Sequence, residues 1–562
     1  MSMFRAHSLL VMIFFFLIAS LSAQEKKEPA QHDAAVPDQN EAPLPKIDLP
    51  EFLITGQETI DLPVSSKSII EEDNVYVPGS PMPGRKDAGI DGEGKLQKDF
   101  AGPAGEMNGK VQGGIGNYTS PFMEGWFGKN YDGGGVLFHA NYASSNGQVA
   151  DANWQKTGIG IQGDYLSPQT LGMLAGSRLN GGLNFSGQTY RAYGSPVVPS
   201  QLRTLNDVRL NMGLASRTAV GDKLDDALDY SAALSWNGTS LNDSLNSSQN
   251  DFGVSVSAST RKSDIQLRGS MEYVLSDVSM QLPSNIETHL PEWFDVRLSG
   301  EKFFLPELQA TLTVQQFIYR GNLSVSSGRF YPGAQLRYFL NDAATVYFSI
   351  APTVERNTLA SLVNSDKYIQ NREELRPSEV PFAFTFGSEY TFSDRIYGNG
   401  SLSYSSVRNF PVFIELNSAK VWDVMYLPNV AVTRLAVEGS YTFTRENSAT
   451  FAGSLNSTQA KDSSNAVPNI PTFTLSGVYR RSFSNGIAVE LFAEYFSKRW
   501  KDFAHSGANA GYVDVGGKGE YQLLENLRAI VQMDNILDRQ YYVWDGYVER
   551  PLFISLGVTY TW

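Results

Sequence analysis

Apolar and polar residues alternate with a period of two in segment after segment from Asn108 to the C-terminus, which predicts strands with one apolar face. In the last segment Leu552, Ile554, Leu556, Val558, Tyr560 and Trp562 fall on one side, with Phe553, Ser555, Gly557, Thr559 and Thr561 on the other. Residues 431–443 set Leu435, Val437, Tyr441 and Phe443 against Arg434, Glu438, Ser440 and Thr442. The split recurs at 265–275, where Ile265, Leu267, Met271 and Leu275 oppose Arg268 and Glu272, and at 294–301, where Phe294, Val296 and Leu298 oppose Arg297 and Glu301.

Alternation alone fits a soluble sandwich as well as a membrane barrel, because each gives one face of the sheet an apolar surround. Three features favour the barrel. The polar faces carry charges of both signs at two- and four-residue spacing, the apolar faces often end in Tyr, Phe or Trp, and the segments run 9 to 14 residues. Connections alternate between tight links such as Ser484, Asn485 and Gly486 and long ones such as residues 353–378. The expected fold is all-β: a transmembrane antiparallel β-barrel of about 22 strands spanning residues 108–562, even-numbered if both chain ends lie on the periplasmic side.

The first 107 residues differ in texture. Residues 1–23 hold one cation, Arg5, an apolar run from Leu9 to Ala19 and a small-residue stretch ending at Ala23, the layout of a secretory signal peptide. The run is too short to span a bilayer. Residues 24–107 contain 10 of the 26 prolines, only three aromatics, 17 acids and 8 bases, and are expected to be a mostly disordered periplasmic tail, since so little apolar surface cannot offset the entropy of ordering. One island, residues 49–56 (LPEFLITG), is apolar and β-prone; it reads equally as a strand that adds to a partner's sheet edge and as a sticky stretch of linker.

Composition narrows the chemistry. The formal charge of −14 and pI near 5 exclude nucleic acid as a natural partner, which would call for a lysine and arginine surplus. The absence of Cys rules out disulfides and thiolate chemistry. The five His lack metal-ligand spacing, and no Gly-x-Ser-x-Gly or His-Glu-x-x-His occurs, so neither catalysis, a metal nor a cofactor is expected. Glu490 and Glu494 share one strand face and read as part of a solvated wall, and the Asp243 to Asp251 loop lacks the order of a Ca²⁺ loop.

Residues 533–562, MDNILDRQYYVWDGYVERPLFISLGVTYTW, resemble the end of TonB-dependent outer-membrane receptors. Asp534, Asn535, Ile536, Leu537 and Asp538, then Tyr541, Tyr542, Gly546, Tyr547, Arg550 and Pro551, occupy matching positions. Residues 373–392 and 429–443 look like two upstream strands of that family. Gly557, Tyr560 and Trp562 fit a terminal signal that resembles the one read by the barrel-assembly machinery. Glu51, Phe52, Leu53, Ile54, Thr55, Gly56 and Gln57 are similar to the TonB box, a segment captured by a periplasmic energiser. The family's N-terminal plug has no obvious counterpart, because only the 84 Pro-rich residues 24–107 separate signal and barrel.

The resemblance implies a receptor or transporter in the outer membrane of a Gram-negative-type bacterium, reached by Sec export, surrounded by lipid and energised or gated by a TonB-like partner during uptake of a bulky solute. By alternation parity its lumen is lined by Arg209, Arg268, Glu272, Arg297, Glu301, Arg337, Arg434, Glu438, Glu490 and Glu494. The alternative is a plugless structural or assembly barrel whose lumen is filled by another protein.

Overall fold

A strand in hydrocarbon must hand every backbone N–H and C=O to a neighbour, and this chain does so by pairing each strand antiparallel with the next and the last with the first. The computed structural model describes residues 107–562, apart from 132, 169, 171–173, 175, 217–227, 263, 282–285, 322–325, 371–374, 394, 416 and 462–465. The signal at 1–23, the tail up to residue 106 and the segment Glu51 to Gln57 lie outside the described residues. The main sheet has 24 strand segments. Two pairs of them are interrupted single strands: Ile286–His289 and Glu292–Leu305 both pair with Ile265–Gln281, while Ala344–Ile350 and Thr353–Glu355 both pair with Ser378–Ser393. The result is a closed antiparallel barrel of 22 strands.

Closure runs through Lys110 to Gly116 of the first strand, Met107–Gly116, paired with Ser555 to Thr561 of the last, Phe553–Thr561. Backbone bonds between Gly109 and Trp562, at 3.1 and 3.0 Å, extend that pairing to the final residue. Glycine is required at the seam: a Cβ on Gly557 would lie 2.9 Å from the Phe122 ring, which lies across Gly557 and Gly114.

The two rims differ. One carries two-residue connections, at 306–307, 342–343, 445–446 and 525–526, together with both described chain ends. The other carries the long connections 356–377, 409–429, 497–511 and 535–552. The apolar face of the wall is solvent-exposed around the ring, as at Leu312 (66%), Phe330 (62%) and Leu556 (58%). Such a belt, far beyond the patches a soluble monomer exposes, has to face lipid. Towards the short-turn rim it ends in exposed aromatics such as Tyr131, Tyr165, Phe392, Tyr521 and Trp562, an interfacial girdle. Among the described residues no helix is long and apolar enough to cross a membrane; the crossing is made by strands.

Depth along the wall sets the expected cost of charge. Leu556→Arg, mid-strand on the outer face, should destabilise the barrel by ~2 to 4 kcal/mol, whereas Leu523→Arg, beside the 525–526 turn, should cost only ~0 to 1 kcal/mol. Urea titration of the two variants in lipid vesicles measures both; equal costs would place the lipid boundary elsewhere.

Candidate functional site

The opposite face of the wall is polar. Arg337 on Ser326–Asn341 reaches Glu389 on Ser378–Ser393 at 3.2 Å across the intervening strand Ala344–Ile350, so the two side chains share one face of the sheet. The other nine charged residues singled out by parity also lie opposite exposed apolar neighbours: Arg209 beside Leu210, Arg268 and Glu272 on the strand of Leu267 and Leu275, Arg297 and Glu301 flanking Leu298, Arg434 and Glu438 flanking Leu435 and Val437, and Glu490 and Glu494 flanking Leu491. Most have a charge or amide partner: Arg209 with Asp207 at 2.7 Å, Arg297 with Asp295 at 4.0 Å, Glu272 with Arg356 at 2.9 Å, Glu301 with Gln309 at 2.5 Å and Glu490 with Arg480 at 2.5 Å. The ten are spread over strands from the sixth to the nineteenth and do not gather into one constellation. His139 pairs with Glu124 at 3.0 Å. Asp243 is engaged by Arg203 at 2.9 Å and Asp251 by Gln249, so the two aspartates share no cation site.

A gathering point does exist at the long-loop rim. One buried apolar cluster joins Tyr190, Leu241 and Val278, at the ends of the fifth, seventh and ninth strands, to Leu359, Leu362 and Tyr368 of the 356–377 loop, Phe413 and Trp422 of the 409–429 loop, and Trp544 and Tyr547 of the 535–552 loop. With strands about 4.8 Å apart and tilted about 40°, 22 of them enclose a ring roughly 40 Å across, too wide for side chains on opposite walls to touch. The loops therefore fold inward over the mouth to meet.

Local sequence explains how. Thr358 and Ser361 form a capping box that starts the short helix Leu359–Ser365, whose Leu359, Leu362 and Val363 are buried. Phe410–Glu415 and Trp422–Leu427 pair as a hairpin, and Tyr542–Trp544 and Tyr547–Val548 as another, with Gly546 at its tip in the left-handed region (φ 88°). The Tyr368 and Tyr547 rings stack at 3.5 Å, and Trp422 lies 4.9 Å from Trp544.

Polar ties brace the same loops. Arg203, at the rim end of the sixth strand and almost fully buried, donates to the carbonyls of Lys367, at 3.0 Å, and Ile369 while paired with Asp243. Leu359 N–H donates to Gln249 at 2.6 Å. Asp545 binds Lys420 and, at 2.7 Å, Lys501. Burial pushes the Asp545 carboxyl up, but these two lysines outweigh it and hold the group below its usual range. Tyr193 donates to Val548 O at 2.8 Å and Ser195 to Ala419 O at 2.5 Å, linking the 192–201 connection to both hairpin loops.

The stretch matched to the receptor family at 534–551 is the corner from which the last loop springs. Asn535 sits in the left-handed region (φ 48°), its N–H donates to Asp514 at 3.1 Å, and its amide donates to the carbonyls of Arg539 and Arg550. Tyr541 donates to the other Asp514 oxygen at 3.0 Å. At the terminus, Trp562 lies so close over Gly109 that a Cβ there would be 2.0 Å from the indole.

No protein-family model matches the chain, and no curated protein does. Solved structures do match. The copper transporter OprC aligns with a TM-score of 0.64 at 11% identity over 81% of this chain and 81% of its own. The FrpB iron transporter from Neisseria meningitidis, F3-3 variant, aligns at 0.63 and 11% identity over 83% and 82%, and the ferric-catecholate import receptor Fiu from K12 E. coli at 0.62 and 11% over 82% and 82%. The barrel has the fold of the TonB-dependent outer-membrane transporters. At such identity the likeness is one of fold, and the cargoes belong to those proteins.

Sequence reading of this barrel found the strands and missed the loop assembly. Arg203, Tyr368 and Trp422 lie in stretches where period-two alternation is short or absent; the available signals were the largely apolar stretch 359–363 after a Thr and the apolar runs 410–414 and 424–427 on each side of Asn417 and Ser418.

Asp366 gives the assembly a pH dependence. It caps the helix C-terminus, accepts Tyr368 N–H at 2.9 Å, and faces Arg203, Lys367, Tyr190 and Tyr547. Burial pushes its carboxyl up to about 7, against the pull of the Tyr368 N–H, Arg203 and Lys367. A folded-state value above the unfolded one means the stabilisation is complete below about pH 4 and lost as pH rises towards 7. Hydrogen exchange at residues 359–369 should therefore quicken between those limits relative to its intrinsic rate, and Asp366→Asn should flatten the profile; an unchanged profile in the variant would assign the dependence elsewhere.

Proposed function

We propose that the chain is an outer-membrane receptor and transporter for a bulky solute, gated or energised from the periplasm. The observation that carries this reading is the closed 22-strand barrel with the fold of transporters and its four longest connections on one rim. The charges at Arg209, Arg268, Glu272, Arg297, Glu301, Arg337, Arg434, Glu438, Glu490 and Glu494, most of them paired, keep the wall wet without a fixed binding point, which suits passage of a solute held elsewhere. The long loops are the capture surface. Residues 1–23 direct Sec export, residues 24–107 form the periplasmic tail, and Glu51 to Gln57 add as a strand to a TonB-like partner. Gly557, Tyr560 and Trp562 serve the barrel-assembly machinery; the seating of Trp562 on Gly109 supports this, since the terminal residue then completes the seam.

A second reading, a structural barrel whose lumen holds another protein, is favoured by the interlocking of the loops over the mouth. The readings part on one measurement, the binding of a TonB periplasmic domain to the purified full chain by calorimetry. Transport predicts binding that is lost in Ile54→Pro, because proline cannot donate to the added strand. No binding by the wild-type chain, together with a stoichiometric co-purifying protein, would support the structural barrel.

A further inference from the structure

All three buried apolar clusters among the described residues lie at the long-loop end, while the wall below them is lined by paired charges and amides. The principal cluster draws on strand ends and loops from around the ring, so its centre lies over the lumen and not along one side of it. The second extends the same layer: Phe410 and Val412 of the 409–429 hairpin pack with Val407 and Val467, with Phe503 of the 497–511 connection against them.

We propose that the packed loops are a lid, so that in the resting protein the permeation barrier is the shared core of the outer loops rather than a plug within the lumen. This rests on the reading of the chain as an outer-membrane barrel. Three features suit the loops to that task. The stacked Tyr368 and Tyr547 rings and the buried Trp422 fill the centre of the assembly with packed aromatic surface. Its charged groups are spent on one another or on carbonyls, as with Arg203, Asp243, Lys420 and Asp545, so closure leaves few of them needing water. At the join between the 192–201 and 535–552 connections, a Cβ on Gly194 would lie 2.7 Å from Gly546 O, and one on Gly546 2.7 Å from Gly194 O. The two backbones meet with no space between them, which makes this join the place where a wedge opens the lid.

The test is conductance of the full chain in planar bilayers, with neither solute nor energiser present, so that failure of the uptake reading leaves the result unchanged. The wild-type chain should be nearly silent. Gly194→Trp, which wedges the join, and the Trp422→Ala, Tyr547→Ala pair, which empties the core, should each raise conductance by about tenfold or more, with Trp422→Phe close to wild type. Heat-modifiable migration shows whether each variant barrel is folded, and the wedge and the core variants disturb the loops by independent means. Cleaving the tail of the inserted wild-type protein at a protease site placed at residues 104–106 should leave it silent. The proposal is overturned if the wild-type chain conducts at the variants' level, if folded variants of both kinds stay silent, or if tail cleavage alone opens the pore.

Discussion

A backbone amide without a partner in hydrocarbon costs several kcal/mol, so a sheet that enters the bilayer must have no edge. In this chain that constraint is met where the first strand pairs with the last, and the rest of the architecture follows from it. Closure of 22 strands makes a ring too wide to be filled by its own wall side chains, unlike an eight-stranded barrel. The polar faces that the alternation supplies are the ones such a ring can leave in water. The loops meet over the mouth that the wall alone leaves open.

Close backbone approach recurs where the fold is under most geometric demand. Phe122 lies over Gly557 and Gly114 at the seam, Trp562 over Gly109 at the terminus, and Gly194 meets Gly546 where two loops join across the mouth. In the first two cases an aromatic ring occupies the space the missing Cβ leaves, gaining contact area where the sheet would otherwise be thin. In the third, backbone meets backbone, which brings two distant connections together without either element growing longer. Most of these contacts link residues hundreds of positions apart, so the seam and the lid are both non-local features of the chain.

That distinction explains what could be read in advance. The strands were legible because their information is local: each carries its own period-two pattern, set by its immediate neighbours. The strand number came out well for the same reason, though the breaks at 290–291 and 351–352, where one strand continues past an interruption, leave no period-two mark. The lid was not legible because its partners are set by topology. Nothing near Trp422 announces Trp544, and nothing near Arg203 announces the carbonyls of Lys367 and Ile369. The resemblance at 534–551 was visible as a motif, yet its physical content, a left-handed Asn535 held by Asp514 and by Arg550 O, required the fold.

The claim on which all this turns is that connections from opposite parts of the ring touch over the mouth. The chain has no cysteine, so a pair introduced as Ser195→Cys and Ala419→Cys stands on a clean background. The Ser195 hydroxyl lies 2.5 Å from Ala419 O, within reach of a short bismaleimide. Cross-linking in intact cells should convert most of the double variant to a form with an internal bridge, recognised by joined peptides after digestion. Efficient labelling of each single cysteine with no bridge in the pair would contradict a mouth closed by its own loops.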